Sequence, residues 1–193
     1  EAQSSERETL IKKGDVDYVV ATYSITDKRA KAVSFAGPYF IAGQSLLVRN
    51  NNTDTTGPES LDGKKLCSVT GSTPAQTVKE KFADKVQLQE YGKYSDCITA
   101  LEGGKIDAVT TDDVILAGYA AQNKGKFKLV GKPFTTERYG IGLKKSDTEG
   151  VRKVNEAIKK MEDSGAWLRS LKKYVGPSGY TIPSPPKPGA DES

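Results

Sequence analysis

The sequence predicts an α/β fold of two similar lobes. Two observations carry this: short apolar strand-like runs alternate with amphipathic helical runs, and a helix-glycine-aspartate-strand unit occurs twice. The runs "VDYVVAT", "SLLVR", "KLCSV", "VQLQEY", "IDAVTT", "KLVGKPF" and "YGIGL" are mostly β-branched or aromatic and are edged by Gly, Asp or Asn, as strands are. Helical spacing joins Ala75, Val78 and Phe82; then Tyr94, Cys97 and Leu101; then Val151, Val154, Ile158 and Met161. The last stretch, "GPSGYTIPSPPKPGADES", carries five of the nine prolines and so predicts an irregular tail, because proline sustains neither a helix interior nor a central strand.

Aligning "LIKKGDVDYVVAT" with "ALEGGKIDAVTTD" at an offset of 90 residues places Gly14 on Gly104, Val16 on Ile106, Asp17 on Asp107, Val19 on Val109 and Thr22 on Asp112. The alternative is coincidence, since helix-glycine-strand junctions occur in any α/β chain. A true repeat puts Thr22 and Asp112 at the carboxyl ends of equivalent strands, where open α/β sheets bind ligands. In the second copy a strand, turn and helix, "KLCSVTGSTPAQTVKEKF", precede the repeated unit. Their match in the first copy would fall before residue 1, so an N-terminally truncated first lobe is expected.

With 193 residues and 36% hydrophobic content, the chain can bury one large core or two small ones. Its net charge of +4 is spread along the sequence without a basic block, which argues against nucleic acid and membrane surfaces as partners. No run approaches the roughly 20 apolar residues that cross a bilayer. The start, "EAQSSERETL", lacks the basic and apolar parts of a signal peptide, so a targeting segment is expected to have been removed already. The sequence contains no histidine, which excludes a Ser-His-Asp triad, a Cys-His dyad and most catalytic zinc sites. Cys67 lies in a strand-like run and Cys97 on a helical apolar stripe. They are either a disulfide, worth roughly 3 to 4 kcal/mol in the chain-entropy model and implying export, or two buried thiols of a cytosolic core.

Two turns hold the polar chemistry. In "VTGSTPAQTV", Gly71 allows a sharp exit from the strand, Thr73 is placed to cap the following helix, and Pro74 suits its first position. Free N–H groups at such a helix start attract an anion, although ordinary capping with nothing bound is the plainer alternative. In "ATYSITDKR" the chain leaves a strand through Thr22, Ser24 and Thr26 and places Arg29 one turn later. That is either a polar turn with a solvated charge or a docking site for a small carboxylate.

In succession, "ATYSITDKRAKAVSFAGPYF", "LCSVTGSTPAQ", "GGKIDAVTTDD" and "RYGIGLKKSD" resemble the signatures of the extracellular polar amino-acid-binding proteins that serve ABC importers. The resemblance runs over roughly residues 1 to 175 and is strongest to the glutamate-binding lipoproteins of Gram-positive bacteria. It implies a type II periplasmic-binding-protein fold whose two lobes close over one L-amino acid, glutamate first and then glutamine or aspartate. It also implies ABC permease subunits as partners, no cofactor and no catalysis, a monomer, and a cell-surface lipoprotein now without its anchor. The disulfide Cys67–Cys97 follows from the same resemblance. Residues 1–49 are then a partial lobe one, 50–138 lobe two, 139–176 the return to lobe one, and 177–193 a Pro-rich tail. The two crossings are expected near Val48–Asn51 and Tyr139–Leu143.

Carried over by position, the resemblance assigns Arg29 to the ligand's α-carboxylate, which a planar guanidinium can grip with two parallel bonds. Ser24 adds a hydroxyl and an N–H to the same group, Thr73 and Ser72 present helix-start donors from the opposite lobe, and Asp112 with the Thr22 carbonyl receives the α-ammonium. Each has a blander rival: Arg29 as a surface ion pair with Asp27 or Asp17, Asp112 as the cap of a helix beginning near Asp113, and Ser72 as a turn hydroxyl. The missing N-terminal part of lobe one is the part that supplies the family's aromatic platform and some of the side-chain pocket. Two other classes share the fold: a prephenate or arogenate dehydratase, which needs a general acid in the cleft, and the ligand-sensing domain of a receptor.

Overall fold

The structure is a computed structural model that describes residues 2–82 and 85–189. Among the described residues, eight strands form two sheets. β1 (Tyr18–Ser24), β8 (Glu137–Leu143) and β2 (Ser34–Ala42) make an antiparallel three-stranded sheet in the order β1-β8-β2. The other sheet has the order β5-β4-β6-β3-β7, built from β3 (Gln44–Arg49), β4 (Lys65–Val69), β5 (Gln87–Tyr91), β6 (Ala108–Asp112) and β7 (Phe127–Val130). In it β4 runs parallel to both β5 and β6, while β3 lies antiparallel between β6 and β7. The two sheets echo each other: β1-β8-β2 stands to the first as β6-β3-β7 stands to the second. The repeated unit supplies α1 (Arg7–Lys13) and β1 in one lobe, α4 (Tyr94–Glu102) and β6 in the other.

The larger lobe has a core on each face of its sheet. Leu47, Cys67, Cys97, Leu101, Val109 and Leu116 pack on one side, where α4 and α5 (Asp113–Gln122) lie, and Leu46, Val48, Leu66 and Val78 pack on the other with α3 (Thr73–Lys81). Cys67 on β4 and Cys97 on α4 are disulfide-bonded, with Cα atoms 5.7 Å apart and a sequence separation of 30. Replacing both by serine is expected to lower the unfolding free energy of this protein by about 3 kcal/mol, from the loop-closure entropy restored to the unfolded chain. Urea unfolding would read this as a lower midpoint, and an unchanged midpoint would refute it.

The sheets correct the expected crossings. β3 is fully buried over Gln44–Val48 and sits between two neighbours, so "LLVR" is core of the larger lobe and the chain changes sheets earlier, at Gly43. On the return the change occurs between Val130 and Glu137, before the "YGIGL" run that β8 places in the smaller sheet. The two crossing segments touch: Phe134 N donates to Gln44 O, Gln44 N donates to Thr135 Oγ1, and a Cβ on Gly43 would stand 2.6 Å from Pro133 Cβ. Only glycine permits that approach. An apolar run therefore marked burial, and periodicity alone did not say in which lobe.

β2 has no counterpart among the expected strands. Gly37-Pro38 interrupts "SFAGPYFIA", and the strand accommodates the proline at a register shift between Ala36 and Phe40. α6 (Thr148–Asp163) covers β2 and β8, and α7 (Ala166–Tyr174) places Trp167 against Phe40 and Tyr139, so the chain after β8 packs on the smaller sheet. Residues 180–187 form neither helix nor strand, as the prolines predict. Tyr180 nonetheless lies with its ring tilted against Phe40 and donates to Asp113 Oδ1 at 3.1 Å, tying the tail to the foot of α5. The last four residues of the expected tail lie outside those described.

Candidate functional site

The site lies where the ends of β1 and β6 face each other across the crossing segments. On the smaller lobe, Thr26 is extended and its hydroxyl accepts from Arg29 N at 3.2 Å, capping the single-turn helix α2 (Asp27–Ala30). That turn directs the Arg29 side chain back over the end of β1. Its Nη1 donates to Ser24 O at 2.8 Å, its Nη2 donates to Gly71 O of the larger lobe at 3.0 Å, and its Nε lies 3.4 Å from Glu8 Oε1. Neither Asp27 nor Asp17 is its partner. Arg29 is buried, and its guanidinium spans the two lobes.

On the larger lobe the helix cap is one residue earlier than expected. Ser72 is extended and accepts from Ala75 N at 3.2 Å, so Thr73 and Pro74 are the first and second residues of α3. Freed from capping, the Thr73 hydroxyl turns into the cleft and donates to Glu137 Oε2 at 2.9 Å, within 3.4 Å of Ser24 Oγ. Gly71, in the left-handed region at φ +78°, makes the turn off β4, and a Cβ there would meet the Ser5 backbone at 2.9 Å. The N-terminal segment thus crosses directly over this turn.

Asp112 ends β6 immediately before α5, yet its side chain makes no capping bond. Oδ2 instead accepts from the Tyr139 hydroxyl of the smaller lobe, and Oδ1 is buried without a partner among the described residues. Burial lifts the Asp112 carboxyl to about 7; the Tyr139 bond opposes that lift, while Glu137 and Asp113 add to it. Burial, with Asp112 beside it, holds the Tyr139 phenol well above its ordinary range, which keeps the hydroxyl a donor.

Sequence reasoning did not single out Arg7, Glu137 or Tyr139. Arg7, at the start of α1, is buried, donates from Nη1 to Thr22 O at 3.3 Å, and lies 4.2 Å from the centre of the Tyr23 ring. Burial and the neighbouring Arg29 both lower its pKa. Its Nε also donates to Ser4 O at 3.1 Å, but nothing in "SSERETL" marks that arginine as internal, because Thr22 and Tyr23, which it meets, are distant in sequence. Arg7, Thr22, Arg29, Ser72, Thr73 and Asp112 line one inner cavity of about 10 Å³, roughly the size of one water molecule. Toward solvent, Glu8, Arg29, Gly71, Thr73 and Glu137 border an adjoining groove of about 910 Å³. Of the expected ligand contacts, the structure brings Thr22, Arg29, Ser72, Thr73 and Asp112 to the cavity and leaves Ser24 at its edge, held to Glu137.

The family profile of the bacterial extracellular solute-binding proteins, family 3, matches residues 1–177. The chain belongs to that family. It is 47% identical over 188 residues to the glutamate-binding protein GluB of Corynebacterium efficiens, covering 94% of this chain and 64% of the relative. It is 40% identical over 175 residues to the ABC transporter glutamine-binding protein GlnH of Bacillus subtilis, covering 91% and 63%. Among solved structures, an ancestral arginine-binding protein bound to glutamine superposes with a TM-score of 0.85 at 33% identity, over 91% of this chain and 79% of that one. The chain thus spans under two thirds of the length of these curated relatives. The type II periplasmic-binding-protein fold expected from the sequence is the fold of this family 3 chain, and its relatives are binding proteins, not enzymes.

Proposed function

We propose that this chain is the ligand-binding part of a solute-binding protein that captures an acidic L-amino acid, L-glutamate first, outside the membrane and presents it to an ABC permease. The observation that carries this reading is charge: two buried guanidiniums, Arg7 and Arg29, and the unpartnered oxygen of Asp112 border the same cavity. Buried like charges repel, and each needs an opposite charge on desolvation. A dicarboxylic amino acid brings two carboxylates and one ammonium, the complement of the two arginines and one aspartate that line the inner cavity, with Glu8 and Glu137 in the adjoining groove. In this assignment Arg29, Ser24 and Thr73 take the α-carboxylate, Asp112 and the Thr22 carbonyl take the ammonium, and Arg7 takes the side-chain carboxylate; Ser72, whose hydroxyl and N–H both donate to Val69 O, shapes the turn beside them. Entry requires the walls to part, and closure is favoured when ligand neutralises both faces. The 47% identity to a glutamate-binding protein agrees with this choice.

The test is calorimetric titration of L-glutamate, L-glutamine and L-aspartate into the full-length protein and its Arg7→Gln variant. The parent should prefer glutamate, and R7Q should lose roughly a hundredfold in glutamate affinity while losing far less for glutamine, because a buried carboxylate left unpaired costs several kcal/mol. Equal losses for both ligands, or a parent that prefers glutamine, would remove Arg7 from the side-chain pocket and glutamate from the proposal.

A further inference from the structure

Glu137 holds a position that none of the assigned contacts explains. It begins β8, directly after the crossing segment, and is buried. Its Oε2 accepts from Ser24 Oγ of the smaller lobe at 2.5 Å and from Thr73 Oγ1 of the larger lobe at 2.9 Å; its Oε1 accepts from Thr135 Oγ1 at 2.8 Å. One carboxylate oxygen therefore bridges the two lobes through the very hydroxyls that, on the reading above, receive the ligand's α-carboxylate. A hydroxyl has a single proton to donate. While Ser24 and Thr73 donate to Glu137 they have none for a second carboxylate, and two carboxylates in that space repel.

We infer that Glu137 is an internal competitor for the α-carboxylate subsite: it clasps Ser24 and Thr73 across the cleft, and an incoming amino acid binds only by displacing it. The groove of about 910 Å³ that Glu137 borders gives its side chain a solvated place to go. The clasped form is closed without being competent, so it lowers apparent affinity by the fraction of molecules that occupy it. Glu137 is thus an affinity-setting residue that need not touch the bound ligand. It also favours ligands whose carboxylate can take over both hydroxyls at once, as Arg29 lends such a group a charge-assisted partner that Glu137 does without.

This inference rests on the proposed amino-acid reading for the identity of the competitor, whereas the clasp itself can be tested without any ligand. Spin labels at positions 124 and 153, exposed sites on the larger and smaller lobes, report the separation of the lobes in the full-length protein by pulsed dipolar spectroscopy. Without added amino acid, Glu137→Ala should lengthen that distance, and calorimetry should find L-glutamate bound about tenfold tighter than by the parent. Glu137→Gln, which keeps the shape and so guards against misfolding, should shift both readouts the same way by less. An unchanged distance, or an affinity that falls, overturns the inference, the latter by making Glu137 a ligand contact. If the parent binds none of the three amino acids while E137A still lengthens the distance, the clasp stands and the glutamate reading falls.

Discussion

Arg29→Lys is expected to weaken binding of L-glutamate by roughly two orders of magnitude in the full-length protein. A guanidinium has five N–H donors; Arg29 donates one from Nη1 to Ser24 O and one from Nη2 to Gly71 O, and its Nε lies 3.4 Å from Glu8 Oε1. Each terminal nitrogen keeps a second N–H, and a guanidinium can meet a carboxylate through two parallel bonds. Lysine offers one ammonium with three donors and no fork. It cannot hold the Ser24 carbonyl, the Gly71 carbonyl and a carboxylate in the same plane. Because Nη2 reaches Gly71 in the other lobe, the substitution also loosens closure. Calorimetric titration of parent and variant decides the matter, and parental affinity in R29K would return "ATYSITDKR" to being a polar turn.

Asp112→Asn should reduce glutamate affinity by a similar factor and at the same time make the protein more stable above pH 7. Both effects come from one buried carboxyl. Its folded-state pKa, about 7, is raised above the ordinary value of 3.8, so the native state holds this proton more tightly than the unfolded chain does. The sign follows from linkage: between about pH 4 and pH 7 the unfolded state releases its proton first, and stability falls as pH rises through that window, reaching its lower level above the folded pKa. Asparagine cannot ionise and escapes this loss, which is worth on the order of 2 kcal/mol after allowance for relaxation. The same ionised oxygen that destabilises the protein is what an α-ammonium would neutralise. Urea midpoints at pH 5, 7 and 8.5 for both proteins, with titrations alongside, test the pair of effects. Parallel pH profiles would show that Asp112 does not carry the raised pKa, and undiminished binding would remove it from the ammonium subsite.

Much of this molecule was legible in the order of its residues, because those features are local. Period-2 and helical spacing located seven of the strands and the helices α3, α4 and α6, and the repeated glycine and aspartate revealed two related lobes. The hydroxyls and arginine of "ATYSITDKR", and Asp112 at a strand end, were visible as polar chemistry at a chain turn. Only the tertiary structure decided which sheet takes β3, since a fully apolar run signals burial on both faces without naming its neighbours. It also moved the helix cap from Thr73 to Ser72, a difference of one residue that turns the Thr73 hydroxyl into the cleft. Arg7 and Glu137 carry charges that read as solvated in sequence and are buried in the fold, and Tyr139, read only as part of a strand, turns its hydroxyl to Asp112. Their partners, Thr22, Ser24, Thr73 and Asp112, stand 15 to 113 positions away in the chain. Such contacts depend on how two sheets are set against each other, and no spacing rule within a single segment encodes that.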